Sequence, residues 1–183
     1  LICTDGRTVR FHGEGEARFI DFEITVHALP DQPLVFGDNK DGTMGYRMPL
    51  WMTLPHKYKN QQVPGVGHYL MSTGVRDADA WGKRAAWCSA YAERNGKTYG
   101  VTIFDHPKNL RHPTWWMARD YGLFAANPFG QHDFENLKDQ PTIGNYTVPA
   151  GGSLTMRYRF YFHEADPVTA KAAEQYATYA AGQ

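Results

Sequence analysis

Cysteine is scarce: Cys3 and Cys88 are the only two in 183 residues. Two thiols can pair or sit apart as small buried hydrophobes. The second reading is preferred, and neither stands in a nucleophile motif. Long apolar runs are missing too, and none approaches the roughly 20 residues that span a bilayer. No charged n-region with an apolar h-region and cleavage site occurs, so a soluble protein is expected, cytoplasmic or periplasmic. Net charge is absent as well, since Lys plus Arg and Asp plus Glu number 19 each. Without a basic field or a basic–aromatic stripe, neither nucleic acid nor a membrane is an expected partner. G-x-S-x-G, P-loop and Rossmann fingerprints are absent, and no cofactor is expected. Oligomeric state stays open.

What is present is strand chemistry. The chain is rich in Trp, Tyr and Phe, with 18 Gly and 11 Pro, a composition suited to β-structure with many turns. Ile20, Phe22, Ile24, Val26 and Ala28 alternate with Asp21, Glu23, Thr25 and His27, the period of a half-buried strand. Leu154, Met156, Tyr158, Phe160 and Phe162 alternate likewise with Thr155, Arg157, Arg159, Tyr161 and His163, read as a solvated face. Asn95-Gly96 signals a hairpin before Lys97–Phe104. Further strands are expected at 8–12, 34–36, 68–72 and 81–91, and a polar surface loop at 55–67. In the 81–91 strand either Lys83 or Arg84 would face a buried side, ion-paired to Asp105 or Asp120. One helix is expected, at the C-terminus, capped by Asp166, with Val168, Ala172, Tyr176 and Tyr179 as its packed stripe. The whole reads as a single all-β domain, residues 1–183, an antiparallel sandwich or barrel with a C-terminal helix. Leu1 to Thr4 reads as a strand end entering an Asp5–Gly6 turn, so the chain is expected to start in mid-fold.

Candidate chemistry concentrates in Asp105–Gly130. Asp105 and His106 follow an apolar strand, and Pro107 and Pro113 stiffen the loop that carries Asn109, Arg111 and His112, with both histidines expected in extended backbone. Trp115, Trp116, Arg119 and Asp120 come next. Such polar groups beside tryptophan faces suit a carbohydrate or another small hydroxylated molecule. His106 is the expected general acid or base, oriented by Asp105 or Asp120. Arg84, Asn109 and Arg111 would bind hydroxyl or carboxylate groups, Trp115 or Trp116 would stack on a ring, and His112, Arg119 and Asn127 complete the substrate set. Two alternatives stand beside this enzyme: a non-catalytic sugar-binding or scaffold domain, and a metal-dependent oxygenase or hydrolase centred on His106 and His112. The histidine intervals match no tight ligand motif, so no metal site is assigned.

The stretches GTMGYRMP (42–49), GVRDADAWGKRAAWC (74–88), IFDHPKNLRHPTWWMARDYGLFAANPFG (103–130) and LTMRYRFYFHE (154–164) resemble a bacterial family of unknown function labelled "methane oxygenase PmoA". The resemblance spans nearly the whole chain. It implies a galactose-mutarotase-like β-supersandwich, akin to aldose epimerases and polysaccharide-acting enzymes that use a histidine and a carboxylate around a sugar ring. It also implies an additional N-terminal segment with a D-H-P-H-H-type motif, so that the chain would be the C-terminal two-thirds of a larger domain. Met117 stands where such relatives often place a polar residue such as His. Methane offers no hydroxyls to bind, and the membrane subunit of that name spans a bilayer, so the sugar reading is preferred over the label.

Overall fold

The alternation of 20–28 and 154–160 puts two long strands at the centre of the molecule. The structure, a computed structural model, describes residues 1–182, with the side chain of Glu14 left aside. Strands β1 (Cys3–Glu14) and β2 (Ala17–Ala28) form a long hairpin. They are followed by β3 (Leu34–Phe36), β4 (Met44–Arg47), β5 (His56–Tyr58), β6 (Gln61–Val63), β7 (Gly67–Met71), β8 (Trp87–Arg94) and β9 (Lys97–Asp105). Next come β10 (Trp115–Ala118), β11 (Leu123–Asn127), the short helix α1 (Gln131–Phe134), β12 (Tyr146–Val148), β13 (Ser153–Glu164) and the C-terminal helix α2 (Ala172–Ala181).

A six-stranded sheet runs β1-β2-β13-β9-β8-β7, and a three-stranded sheet runs β10-β11-β4, with every pairing antiparallel. The large sheet keeps two free edges, so the fold is an open sandwich and not a closed barrel. Its inner face (Ile20, Phe22, Ile24, Val101, Ile103, Met156, Tyr158, Phe160) packs with Trp116 and Phe124 of the small sheet. Its outer face (Phe19, Leu70, Trp87, Phe104, Tyr161) is covered by Ala172 and Tyr179 of α2. Each large side chain buried there contributes roughly 1.5–3 kcal/mol.

The hairpins follow their turn residues. Asn95 and Gly96 both take positive φ, 55° and 76°, the conformation that matches the twist of the flanking strands. Lys59 and Asn60 do the same at 46° and 64°, so the expected surface loop 55–67 contains the β5–β6 hairpin.

Several expectations need correction. Asp5 and Gly6 lie inside β1, paired with Val26 and Thr25, and make no turn. Strand β8 starts at Trp87, because 77–80 form a 3-10 turn and Gly82 has φ 70°. Lys83 and Arg84 are therefore both exposed, and no buried cation arises. Asp166 caps the turn that precedes the helix and not the helix itself, its Oδ1 accepting from the Val168 and Thr169 amides. Lys171 at φ 57° then interrupts the segment, α2 begins at Ala172, and Val168 is left 69% exposed. The face of β13 read as solvated is largely covered: Arg159 forks onto Asp21, Arg157 pairs with Glu23, and His163 is buried. Both cysteines are free, and Cys88 is fully buried.

Glycine at 100 has a specific cause. A Cβ there would come within 2.2 Å of the His163 ring. That ring cannot swing away freely, since its Nδ1–H donates to the Ala165 carbonyl at 3.1 Å and its Nε2 lies 3.0 Å from Thr102 Oγ1. Gly100→Ala is expected to lower stability by about 1–3 kcal/mol, the usual cost of overpacking. In a His163→Ala background the same change is expected to cost less than about 1 kcal/mol. Urea denaturation of the four proteins checks this, and equal costs in both backgrounds would sink it.

Candidate functional site

Asp105 ends β9 with no solvent exposure. A buried carboxylate is tolerated only where donors replace water, and here three do. Asn109 Nδ2 donates to Oδ1 at 2.8 Å, while His112 Nδ1–H and the Thr114 amide donate to Oδ2 at 2.7 and 3.0 Å. The segment between them curls into two successive turns and is not extended: the Asn109 amide donates to the His106 carbonyl and the His112 amide to the Asn109 carbonyl. With Nδ1 on Asp105, the His112 tautomer leaves Nε2 as an acceptor. It faces Tyr176 Oη of α2 at 3.3 Å, and the side chain is 18% exposed. Burial first, and the Asp105 charge second, push the Tyr176 hydroxyl above its ordinary pKa. It therefore stays protonated and donates to Nε2. Carboxylate, imidazole and phenol form a hydrogen-bonded relay that ends at partial solvent.

His106, the expected base, is placed otherwise. It is 1% exposed, its Nδ1 accepts from the Lys108 amide at 3.1 Å, and its ring meets Tyr179 edge-to-face. Its buried Nε2 has no hydrogen-bond partner among the described residues. Burial, then the Arg157 and Lys108 charges, hold its pKa below the ordinary value. Asp105 orients His112 and not His106. Asp120, the other carboxylate weighed, is exposed beyond the far end of β10 and accepts the Tyr121 amide.

Most of the remaining candidates bind the protein's own backbone. Arg84 donates to the Pro113 and Arg111 carbonyls and lies 4.4 Å over the Trp115 ring. Arg111 donates to the carbonyls of Pro128, Gly144 and Asn145. Asn109 exchanges bonds with the Arg157 backbone in both directions. Asn127 donates to the Asn39 and Lys40 carbonyls. Trp115 and Trp116 are 2% and 0% exposed, their indole N–H groups donating to Glu135 and to the Ala85 carbonyl. Arg119 lies over Trp81 at 5.2 Å. Met117 is buried. Among the described residues no three His, Cys, Asp or Glu side chains group as ligands for a metal ion, and no helix is long and apolar enough to cross a membrane.

A different region is open. Where β2 begins, β9 begins and β13 ends, the small sheet does not cover the inner face, and a cleft of about 610 Å³ remains. Tyr46, Trp51, Tyr99 and Phe162 wall it, and Glu16, Arg18, Arg94 and Glu164 supply its charge. The Arg94 guanidinium sits 5.2 Å over the Trp51 ring, and Trp51 meets Tyr99 edge-on at 6.3 Å. Sequence reasoning missed this site because its aromatics are scattered and each reads as core. The signal that was available is the position of Tyr99 and Arg94 on either side of the Asn95–Gly96 turn.

The comparisons with known proteins add a family. DUF6807, a family of unknown function, matches residues 2–178. The chain belongs to it. Neither the curated proteins nor the solved structures give a match.

His106 and His163 are both held neutral by burial, His163 despite carbonyl contacts that favour its charged form. With both folded-state pKa values lowered, the unfolded chain binds more protons below about pH 6.5. Their contribution to stability is complete above that value and is lost as pH falls below it toward the lowered folded-state values. The urea midpoint is expected to drop across this window and to flatten in a His106→Asn/His163→Asn protein. An unchanged slope in that double variant would refute the assignment.

Proposed function

We propose that this chain is a carbohydrate-binding domain whose ligand sits in the cleft walled by Tyr46, Trp51, Tyr99 and Phe162. The observation that carries the reading is the cleft itself, at about 610 Å³. That lies within the roughly 300–1,000 Å³ typical of small-molecule sites. Aromatic walls pack against the C–H faces of a pyranose, while charged and amide groups fix its hydroxyls. Asn95 and the carboxylates of Glu16 and Glu164 stand at the same cleft. The resemblance to the PmoA-labelled family, and through it to sugar-active supersandwich proteins, points the same way.

The enzyme reading rests on a separate observation, the Asp105–His112–Tyr176 relay. Its geometry suits acid–base chemistry at His112 Nε2. Tyr99 lies six positions before Asp105 along β9, about 20 Å at strand rise. The relay therefore does not reach a ligand in the cleft, and binding is the better-supported activity of that site. Catalysis at the relay would show as sugar turnover lost in His112→Gln. Turnover unaffected by that change would exclude it.

Titration calorimetry against a panel of mono- and oligosaccharides tests the binding reading. A ligand with millimolar or tighter affinity is expected, and Trp51→Ala or Tyr99→Ala should each weaken it at least tenfold, about 1.4 kcal/mol. No binding across the panel, or binding indifferent to both variants, would rule it out.

A further inference from the structure

The charged groups of the cleft are unequally neutralised. Glu164 is engaged by Lys97 at 3.4 Å. Among the described residues Arg18 donates to backbone alone, to the Gly15 and Ala17 carbonyls at 2.7 and 2.9 Å. Arg94 has no carboxylate partner among the described residues, and its one contact of note is the Trp51 face at 5.2 Å. Glu16 likewise pairs with no cation among the described residues. The lining thus carries Arg18 and Arg94 against Glu16 and Glu164, and Lys97, outside the lining, already takes up Glu164.

The placement of Arg94 matters more than the count. It is the last residue of β8, on the inner face that Cys88, Ala90 and Ala92 share, next to the rigid Asn95–Gly96 turn. A guanidinium resting on an aromatic face is held there by the ring quadrupole, and its N–H groups lie in the guanidinium plane. Among the described residues nothing hydrogen-bonds those in-plane donors. They form a fork matched to a planar carboxylate. A neutral hexose cannot use the charge, whereas a sugar acid can. Solvated arginines are common on protein surfaces, but few are fixed on a tryptophan inside an aromatic cleft.

We propose that the ligand of this cleft is a uronate, a pyranose bearing a carboxylate, with the carboxylate held by Arg94, Arg18 as the second cation, and the ring against the aromatic wall. This rests on the carbohydrate reading above and names its ligand class. No covalent step is involved. Specificity for the acid over its neutral parent comes from one charge-assisted, forked pair, and it fades with salt because the pair is open to solvent.

Calorimetry on the whole chain at low ionic strength decides it, with four probes: glucuronate, glucose, glucose 6-phosphate and acetate. Glucuronate is expected to bind at least tenfold more tightly than glucose, with acetate failing to compete. Arg94→Gln should abolish that preference, and Arg94→Lys, which keeps the charge but not the fork, should restore only part of it. Arg94 is exposed, and an unchanged melting temperature in both variants verifies the fold. Glucose binding as tightly as glucuronate would overturn the proposal while leaving the carbohydrate reading intact. Equal or tighter binding of glucose 6-phosphate would overturn the carboxylate assignment in favour of a phosphate. Competition by acetate at the affinity of glucuronate would reduce the site to an anion site with no sugar specificity. Failure of all four probes together with the wider sugar panel would bring down both readings.

Discussion

The buried carboxylate of Asp105 is the constraint around which one end of the molecule is arranged. A charge without exposure is tenable only while its donors hold their places. Those donors come from the Asn109 and His112 side chains and from the Thr114 amide. The loop is therefore closed upon the end of β9, and β10 must start where Thr114 points. Arg84 then bonds the Pro113 and Arg111 carbonyls from the other side and bridges to Trp115, which ties the two sheets together. Through His112 the same carboxylate reaches Tyr176 and so fastens α2 over the outer face. Removing this carboxylate would loosen a strand start, a loop and a helix together.

At the other end the governing fact is a mismatch of widths. Six strands face three, so the inner face of the large sheet runs beyond its cover. One consequence is the aromatic cleft, whose second wall is supplied by Tyr46 and the 3-10 turn at Leu50–Met52. Another is an apolar groove of about 440 Å³ between β2 and β4, lined in part by Phe22, Ile24, Phe36 and Met44. Beside it β1 carries Val9 and Phe11, 44% and 75% exposed. Close glycines make the packed part possible: a Cβ at Gly67 would meet the Met52 carbonyl at 2.0 Å, and that backbone has nowhere to move.

Strands were legible where one periodicity ruled. In 20–28 and 154–160 apolar and polar positions alternate in the sequence, and at 95–96 the turn chemistry has a single good solution. Segment 81–86 was not legible, because its alternation of Trp, Lys, Ala and Trp mimics a strand while Gly82 at φ 70° prevents one. The loop at 105–114 was correctly seen as a dense set of hydrogen-bonding side chains. Whether those side chains would serve a ligand or their own backbone depends on where the orphan carbonyls of the loop fall, and that is fixed only by tertiary structure. Arg111 illustrates this: all three of its donated bonds end on main-chain oxygens.

That outcome has a functional corollary. A side chain whose donors are already spent on backbone can recognise a ligand only by breaking what holds the loop, so polar density in a sequence overstates a binding site. The informative quantity is a polar group fixed in place and left unspent. By that measure Arg84 and Arg111 drop out, although they lie in the most distinctive stretch of the chain, and Arg94 comes forward. It is positioned by Trp51, while no described residue takes up its hydrogen-bonding edge. The long strands β9 and β13 run past both ends, making the braced Asp105 loop the rigid support from which the open cleft is held.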